Sequence, residues 1–343
     1  MSISSFSNKS KIDEHVKQFI EHLLLKIQNI STIEEIDKSI YHSKKVNLFL
    51  RNMNCKVCCA PDYNNCKGSI IKSHSIQKSK SIKNISESGH VLTFHKQISD
   101  IPNLVGINDI STENMFCEFH DREIFKLIDT QNIHPTNEQS ILLSIRTLAA
   151  ELHKKVMLYK IKLLADSGLS LYDVSFHYLS MFSILKRRKY EKLERCIIKI
   201  EEIPEIMTST CYIPEMDFYG TEIQHINTLC SNLLTFEVFS DGTHGLVTME
   251  WLKTDAKCKI FVNSLLNQND IPNTIVKFIA AFCENSAFKP SWWNSLSVSK
   301  KSQLIKYQRL NIEAVSYTQI FDEFSKDTRQ YVKWTIKKIQ KSF

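Results

Sequence analysis

The stretch Asn114-Met-Phe-Cys117-Glu-Phe-His120-Asp121 places a cysteine and a histidine three residues apart. Because residues i and i+3 lie on the same side of a first helical turn, these two side chains can bind one ion together. Earlier in the chain, Cys55-Lys-Val-Cys58-Cys59 is followed by Cys66. Zinc takes four cysteine or histidine ligands at tetrahedral corners, commonly two from each of two short turns. The two clusters therefore predict one structural zinc ion that joins two distant segments.

Four cysteines compete for the two remaining ligand positions. Cys55 and Cys58 have the standard spacing of a C-x2-C turn, whereas Cys59 and Cys66 enclose the longer loop Ala-Pro-Asp-Tyr-Asn-Asn, in which proline and asparagine favour a turn. The spacing leaves both pairs open. The other cysteines lie in apolar surroundings and are interpreted as core residues: Cys196, Cys211, Cys230, Cys258 and Cys283.

Composition indicates an ordinary folded chain. The sequence has 343 residues, 43% of them hydrophobic and 24% charged, and only seven glycines and seven prolines, which favours helix over a turn-rich β fold. A net charge of +7 permits contact with nucleic acid without requiring it. We find neither a secretory signal nor an apolar run of about 20 residues, so we expect a cytoplasmic protein with no membrane contact. Reduced cysteines in such a chain are metal ligands before they are disulfides.

Hydrophobic periodicity predicts the remaining elements. Apolar residues from Ile12 to Ile27 form one helical face, and a second helix is expected over 33–50. Two long helices, from Glu138 to Leu163 and from Leu171 to Ile203, are predicted to form an αα-hairpin. Strands are predicted at 208–213, 233–239, 246–252 and 257–262, with a hairpin turn at Asp241-Gly242. Helices are expected again at 275–283, 299–310 and 317–341.

The cysteine and histidine module resembles the treble-clef nucleases of the HNH (ββα-metal) type. The resemblance covers residues 52–130 and rests on a Cys-x2-Cys turn, Ser73-His74 and the Asn114 to Asp121 stretch. The sequence also resembles an uncharacterised group of bacterial proteins that share the Ser-His-Ser-Ile-Gln and Phe-Cys-x2-His-Asp patterns. That comparison implies Cys59 and Cys66 as the first ligand pair, with Cys117 and His120 as the second.

The resemblance also implies catalytic roles. His74 matches the general base that activates water for attack on a phosphodiester, and Asn114 matches the asparagine that orients it. Asp121 falls where the family usually has a histidine that binds the catalytic divalent ion, and a carboxylate there suits Mg²⁺. Ser73 departs from the family, which commonly has an acidic metal ligand before the base.

Together these observations predict an α+β, mainly helical fold. It would consist of N-terminal helices (1–51), a zinc treble-clef-like module (52–135), a central αα-hairpin (136–204) and a small antiparallel sheet with C-terminal helices (205–343). The predicted nucleic-acid contacts are four lysines around His74, although lysines are more often simply solvated: Lys72, Lys78, Lys80 and Lys83.

The predicted function is a zinc-stabilised HNH-like nuclease or nuclease-derived effector that acts on nucleic acid. A bacterial phage-defence setting would suit the resemblance. The alternative is a non-catalytic zinc-finger component that binds nucleic acid or protein, and a protein partner or homo-oligomer stays open. A third interpretation is a purely structural zinc beside an unrecognised activity in the C-terminal part.

Overall fold

The computed structural model describes residues 11–27, 55–94, 101–160, 171–225, 231–312 and 316–343. The helix predicted over 33–50 lies outside these residues. The longer helices are α1 Lys11–Lys26, α2 Glu118–Thr130, α3 Asn137–Lys160, α4 Leu171–Arg187, α5 Ala256–Leu266, α6 Ile271–Phe282, α7 Pro290–Ser295, α8 Val298–Ile312 and α9 Tyr317–Lys326. Helical segments of three to five residues lie at Tyr63–Asn65, Lys78–Ile82, Lys83–Ile85 and Tyr190–Lys192. The strands are β1 Ile70–His74, β2 His90–Thr93, β3 Asn103–Gly106, β4 Thr112–Cys117, β5 Leu193–Ile200, β6 Ile206–Tyr212, β7 Leu234–Ser240, β8 Gly245–Leu252, β9 Ser286–Phe288 and β10 Ile336–Lys341.

The prediction of a small sheet is wrong, because the described residues form an antiparallel sheet of eight strands. Its strand order is β10-β5-β8-β7-β6-β9-β2-β3, and a separate two-stranded sheet pairs β1 with β4. Of the four strands predicted between residues 208 and 262, three are present as β6, β7 and β8, and the turn at Asp241-Gly242 joins the last two. The other five strands come from distant parts of the chain, including β2 and β3 from the predicted zinc module. The fold therefore has a substantial sheet at its centre, where a small sheet was predicted.

The second helix of the predicted hairpin is shorter than expected. It ends at Arg187, and Arg188 has a φ of 54°, a left-handed conformation that closes a helix end. The amide of Lys189 then donates to the carbonyl of Ile184 at 3.0 Å. The following Cys196-Ile-Ile198 run belongs to β5 and is buried on both faces of the sheet. A run buried on both faces carries no alternation, so its apolar residues were wrongly assigned to the helix.

Two further elements differ in type from the prediction. Residues 257–262, predicted as a strand, lie in α5, whose Cys258, Phe261 and Leu265 recur at helical spacing and are buried. The final helix, predicted over 317–341, stops at Lys326 as α9, and the chain then returns as β10 beside β5. Strand β10 is exposed and basic, which suits an edge strand because lysines there oppose pairing with another chain.

The sheet separates two hydrophobic cores. Alternate residues of one strand face opposite layers. In β5, for example, Ile197 packs with α3 and the metal module, whereas Cys196 and Ile198 pack with the C-terminal helices. Helix α3 lies against β6, β7 and β8, and α4 and α1 pack outside it, with the rings of Phe19 and Tyr178 stacked at 6.0 Å. The metal module thus packs against α3, which lies on the large sheet.

We expect Gly245→Ala to destabilise the sheet by about 2 kcal/mol, because overpacking a tight site forces its neighbours to move. A Cβ at this first residue of β8 would lie 2.5 Å from the Pro204 Cδ and 2.9 Å from the Glu202 carbonyl oxygen. Gly106→Ala is the matched control, since its nearest neighbour would be an Asp109 oxygen at 3.9 Å. Urea unfolding of both variants measures the difference, and equal losses of free energy would contradict this packing argument.

Candidate metal centre

The first ligand reaches the centre through backbone pairing with β4. The amide of Val57 donates to the Asn114 carbonyl at 3.2 Å, and the amide of Cys59 donates to the Met115 carbonyl at 2.9 Å. Successive side chains of an extended segment point to opposite sides. This register directs Cys58 towards Cys117, whose amide donates to the Cys58 sulfur at 3.4 Å. Cys59 is fully buried, and its carbonyl accepts a hydrogen bond from Tyr178 at 2.8 Å.

The second ligand follows a short helical turn at 63–65, and one glycine lets the chain return towards α2. Gly68 has a φ of 77°, and a Cβ there would lie 3.0 Å from a Glu118 carboxylate oxygen. The first two amides of α2 close this turn: Glu118 donates to the Ser69 carbonyl at 3.0 Å and Phe119 to the Lys67 carbonyl at 3.3 Å. The backbone therefore holds Cys66 beside the first turn of α2.

The structure brings one sulfur from each predicted cysteine pair together with Cys117, at the end of β4, and His120, in the first turn of α2. The ligand atoms of Cys58, Cys66, Cys117 and His120 all lie within 4.8 Å of one another. The Nδ1 atom of His120 is 3.4, 3.6 and 3.3 Å from the sulfurs of Cys58, Cys66 and Cys117, respectively. With metal–sulfur and metal–nitrogen bonds of roughly 2.3 and 2.0 Å, a tetrahedron has nitrogen–sulfur edges of roughly 3.5 Å. The four residues could therefore hold one metal ion.

Burial favours the neutral form of two of the thiols. It raises the pKa of Cys58 to about 12 and also raises the pKa of Cys66. Burial also acts to raise the pKa of Cys117, but hydrogen bonds with the backbone of His120 and Lys67 outweigh burial, so that the pKa of Cys117 is lowered. Binding of a cation would offset the cost of three thiolates and release their protons. Three sulfurs and one nitrogen suit a closed structural site.

The sequence interpretation preferred Cys59 with Cys66, or Cys55 with Cys58. In the structure, Cys66, Cys117 and His120 converge as expected, but Cys58 occupies the place given to Cys59. Cys55 is buried, and its carbonyl lies 3.2 Å from Nε2 of His153. Spacing could not separate two adjacent cysteines, because only the register with β4 decides which of them faces the ligands.

The sequence interpretation missed His153, which lies in an apolar helical stripe and gives no signal of its own. It is buried in α3, and its Nδ1 is 3.6 Å from a carboxylate oxygen of Glu113. Burial alone would lower its pKa, but the contacts with Cys55 and Glu113 prevail and raise the pKa to about 9. His153 thus links α3 to the segment that carries Cys58 and to β4, with which that segment pairs.

His74 is the last residue of β1 and is half-buried. Its Nε2 lies 3.1 Å from the carbonyl oxygen of Ile107. Burial lowers the pKa of His74, with Lys78 and Arg146 acting in the same direction, whereas the Ile107 carbonyl and Asp121 oppose the change. The imidazole is therefore neutral at neutral pH, and the Ile107 carbonyl selects the tautomer with its proton on Nε2.

The other predicted catalytic residues lie on the same small unit. Asp121 follows His120 in the first turn of α2, and Asn114 lies in β4, where its carbonyl pairs with Val57. Ser73 is 2% exposed, and its hydroxyl has no hydrogen-bond partner among the described residues. The described residues contain one set of three or more potential ligands that converge on one point, and its members are Cys58, Cys66, Cys117 and His120.

Three of the four predicted lysines are engaged within the protein. Lys72 forms an exposed ion pair with Asp109 at 3.0 Å, and Lys78 donates to the Asn108 side chain at 2.5 Å. Lys80 donates to the Gln131 carbonyl at 2.7 Å. Lys83 is exposed. Exposed pairs of this kind contribute little to stability, so these lysines can exchange their partners for phosphates.

Comparison with known proteins gives no relative: no family model matches the sequence, and no curated protein or solved structure matches it significantly. The resemblance to HNH nucleases therefore rests on the short motifs. Among the described helices, none has the length and apolar character needed to cross a bilayer.

Proposed function

We propose that this chain is a zinc-stabilised, HNH-like nuclease that hydrolyses phosphodiester bonds in nucleic acid. The supporting observation is that one ββα unit carries two of the metal ligands, Cys117 and His120, together with the candidate base. Strand β1 ends at His74, pairs with β4, and β4 leads directly into α2, which carries His120 and Asp121. Zinc is the proposed occupant because it prefers this sulfur-rich tetrahedral donor set. A role in defence against phage rests on the resemblance alone.

In the proposed reaction His74 accepts the proton of the attacking water. Because Nε2 donates to the Ile107 carbonyl, the lone pair available for that proton is on Nδ1. Asp121 would hold Mg²⁺, which would supply positive charge against the phosphate and the leaving oxygen. The pairing of Asn114 with the segment before Cys58 fixes β4, and with it the position of α2.

A second candidate is a non-catalytic module that binds nucleic acid. Ser73 stands where the related nucleases have an acidic ligand, and its buried hydroxyl does not replace a carboxylate. In the described part of the chain, His74 and Asp121 also have no third ligand residue that converges with them. Under this proposal the lysines around His74 contact backbone phosphates and nothing is cut.

Plasmid nicking and nucleic-acid binding, measured on the same full-length preparation, separate the two candidates. Supercoiled plasmid should be nicked when Mg²⁺ is added and stay intact in the same buffer without it. The control omits Mg²⁺ and uses no chelator, because a chelator would also remove the structural metal. Salt-sensitive binding without nicking would favour the second candidate. Absence of both nicking and binding would refute both.

A further inference from the structure

A separate cavity of about 430 Å³ lies at the amino end of α3, against strands β5 and β8. The wall includes polar side chains from four parts of the chain: Asn137, Tyr190, Arg195, Glu250, Lys253 and Ser342. Its volume falls within the range of small-molecule sites. Neither the metal centre nor the proposed nuclease chemistry uses any of these residues.

Glu250 is the residue in this wall that most needs a partner. Its side chain is 2% exposed, and its Oε2 atom is buried with no hydrogen-bond partner among the described residues. Ser140 and Ser144 of α3 hydrogen-bond to the carboxyl group, and Oε2 is the atom left without a partner. A buried polar atom without a partner destabilises the protein, and a hydrogen bond from a bound ligand or a water molecule would remove that cost.

The basic residues of the cavity are also free to bind. Arg195 on β5 is the register partner of Glu250 on β8, so both side chains stand on the same face of the sheet. Within the described chain, neither Arg195 nor Lys253 forms an ion pair with an acidic side chain. The amino end of the 24-residue α3 adds positive potential at Asn137.

Acidic groups near the cavity partly offset this positive charge. Glu191 lies in the wall, and Glu138 is close enough to influence Tyr190. Burial raises the pKa of Glu250 to about 8, assisted by Glu237 and opposed by Ser140 and Arg195. At neutral pH Glu250 is therefore mainly a neutral carboxylic acid, which can donate a hydrogen bond to an anion.

We propose that this cavity binds a phosphate group, with Arg195 and Lys253 as its cationic partners and Glu250 as a hydrogen-bond donor. A phosphate presents several acceptor oxygens in different directions, which matches donors on two strands and a helix end. The guanidinium of Arg195 supplies paired donors suited to such an oxyanion. The phosphate group can belong to inorganic phosphate or to a small phosphomonoester.

Calorimetric titration of the full-length chain with inorganic phosphate at neutral pH tests the proposal. Arg195→Gln and Lys253→Gln should each weaken binding by about tenfold, the loss expected for one charged hydrogen bond. Lys192→Gln is the matched control, because Lys192 is exposed and outside the cavity wall. A parallel titration with ribose 5-phosphate shows which source binds more tightly. No phosphate binding by the wild-type chain, or full binding by Arg195→Gln, would overturn the proposal.

The isosteric Glu250→Gln variant tests the proposed donor separately. Sulfate serves as the probe because it keeps its charge from about pH 7 to about pH 9.5, where arginine and lysine also stay charged. Wild-type affinity should fall by about tenfold per pH unit above the pKa of Glu250, because the ionised carboxylate repels the anion. Glu250→Gln should bind with little dependence on pH. A parallel fall in both proteins would exclude Glu250, and melting curves confirm that each variant is folded.

Discussion

Cys58→Ala should abolish metal binding and lower the melting temperature sharply, whereas Cys59→Ala should keep the metal. The ligand set contains Cys58 and excludes its neighbour, although both cysteines are buried. Metal binding to a structural site of this kind is worth roughly 10–16 kcal/mol, and the loss of one of four ligands removes much of it. Because Cys117 ends β4 and His120 lies in the first turn of α2, their release would also loosen the unit that carries His74.

Cys59→Ala is a demanding control, since it removes a sulfur that is 0% exposed. The cavity it leaves should cost about 1–2 kcal/mol, without loss of the ion. Thermal unfolding followed by circular dichroism, with metal analysis of each variant, measures both effects. Wild-type protein treated with a strong chelator should melt like Cys58→Ala, and the exposed Cys66 gives the chelator access. Loss of metal from Cys59→Ala with retention in Cys58→Ala would contradict this ligand set.

His74→Ala should lower Mg²⁺-dependent nicking by about 10²- to 10⁴-fold, the contribution typical of a positioned general base. Nucleic-acid binding should change little, because the surrounding lysines stay in place. His90→Ala is the matched control, because His90 is exposed on β2 and its Nδ1 atom lies 2.8 Å from the Ser88 carbonyl oxygen. Nicking by His74→Ala at the wild-type rate would remove this residue from the mechanism.

The pH profile gives an independent test of the same residue. His74 acts as a base only when neutral, and burial, as the largest influence, lowers its pKa from the ordinary value near 6.5. Nicking should therefore stay constant at neutral and moderately alkaline pH and decline only when the pH falls below the ordinary histidine range. A decline that begins well above that range would show that another group controls the rate.

The sequence predicted those elements whose pattern is local. The stripe from Val16 to Ile27 gave α1. Runs rich in β-branched and aromatic residues gave β6, β7 and β8, and the Asp241-Gly242 pair gave the turn between the last two. It failed for β5 and β10, because the Cys196 to Ile198 run is buried on both faces and β10 gains its conformation from pairing with β5. Such pairing joins residues far apart in sequence, and no local periodicity reports it.

In the candidate site, too, the sequence predicted what depends on local spacing and missed what depends on long-range contacts. The spacing of Cys117 and His120 was enough to predict that their side chains converge, and they do so where β4 passes into α2. The choice between Cys58 and Cys59 depends on the backbone register with β4, and the tautomer of His74 depends on the Ile107 carbonyl, more than thirty residues away in the sequence. Glu250 and Arg195 gave no signal, because their juxtaposition arises from the pairing of β5 with β8.

X-ray absorption spectroscopy of the purified full-length chain at the zinc edge tests the central claim most directly. The account predicts one zinc per chain, surrounded by three sulfurs at about 2.3 Å and one nitrogen at about 2.0 Å. Protein without bound metal, or a shell of four sulfurs that replaces His120 with another cysteine, would contradict it.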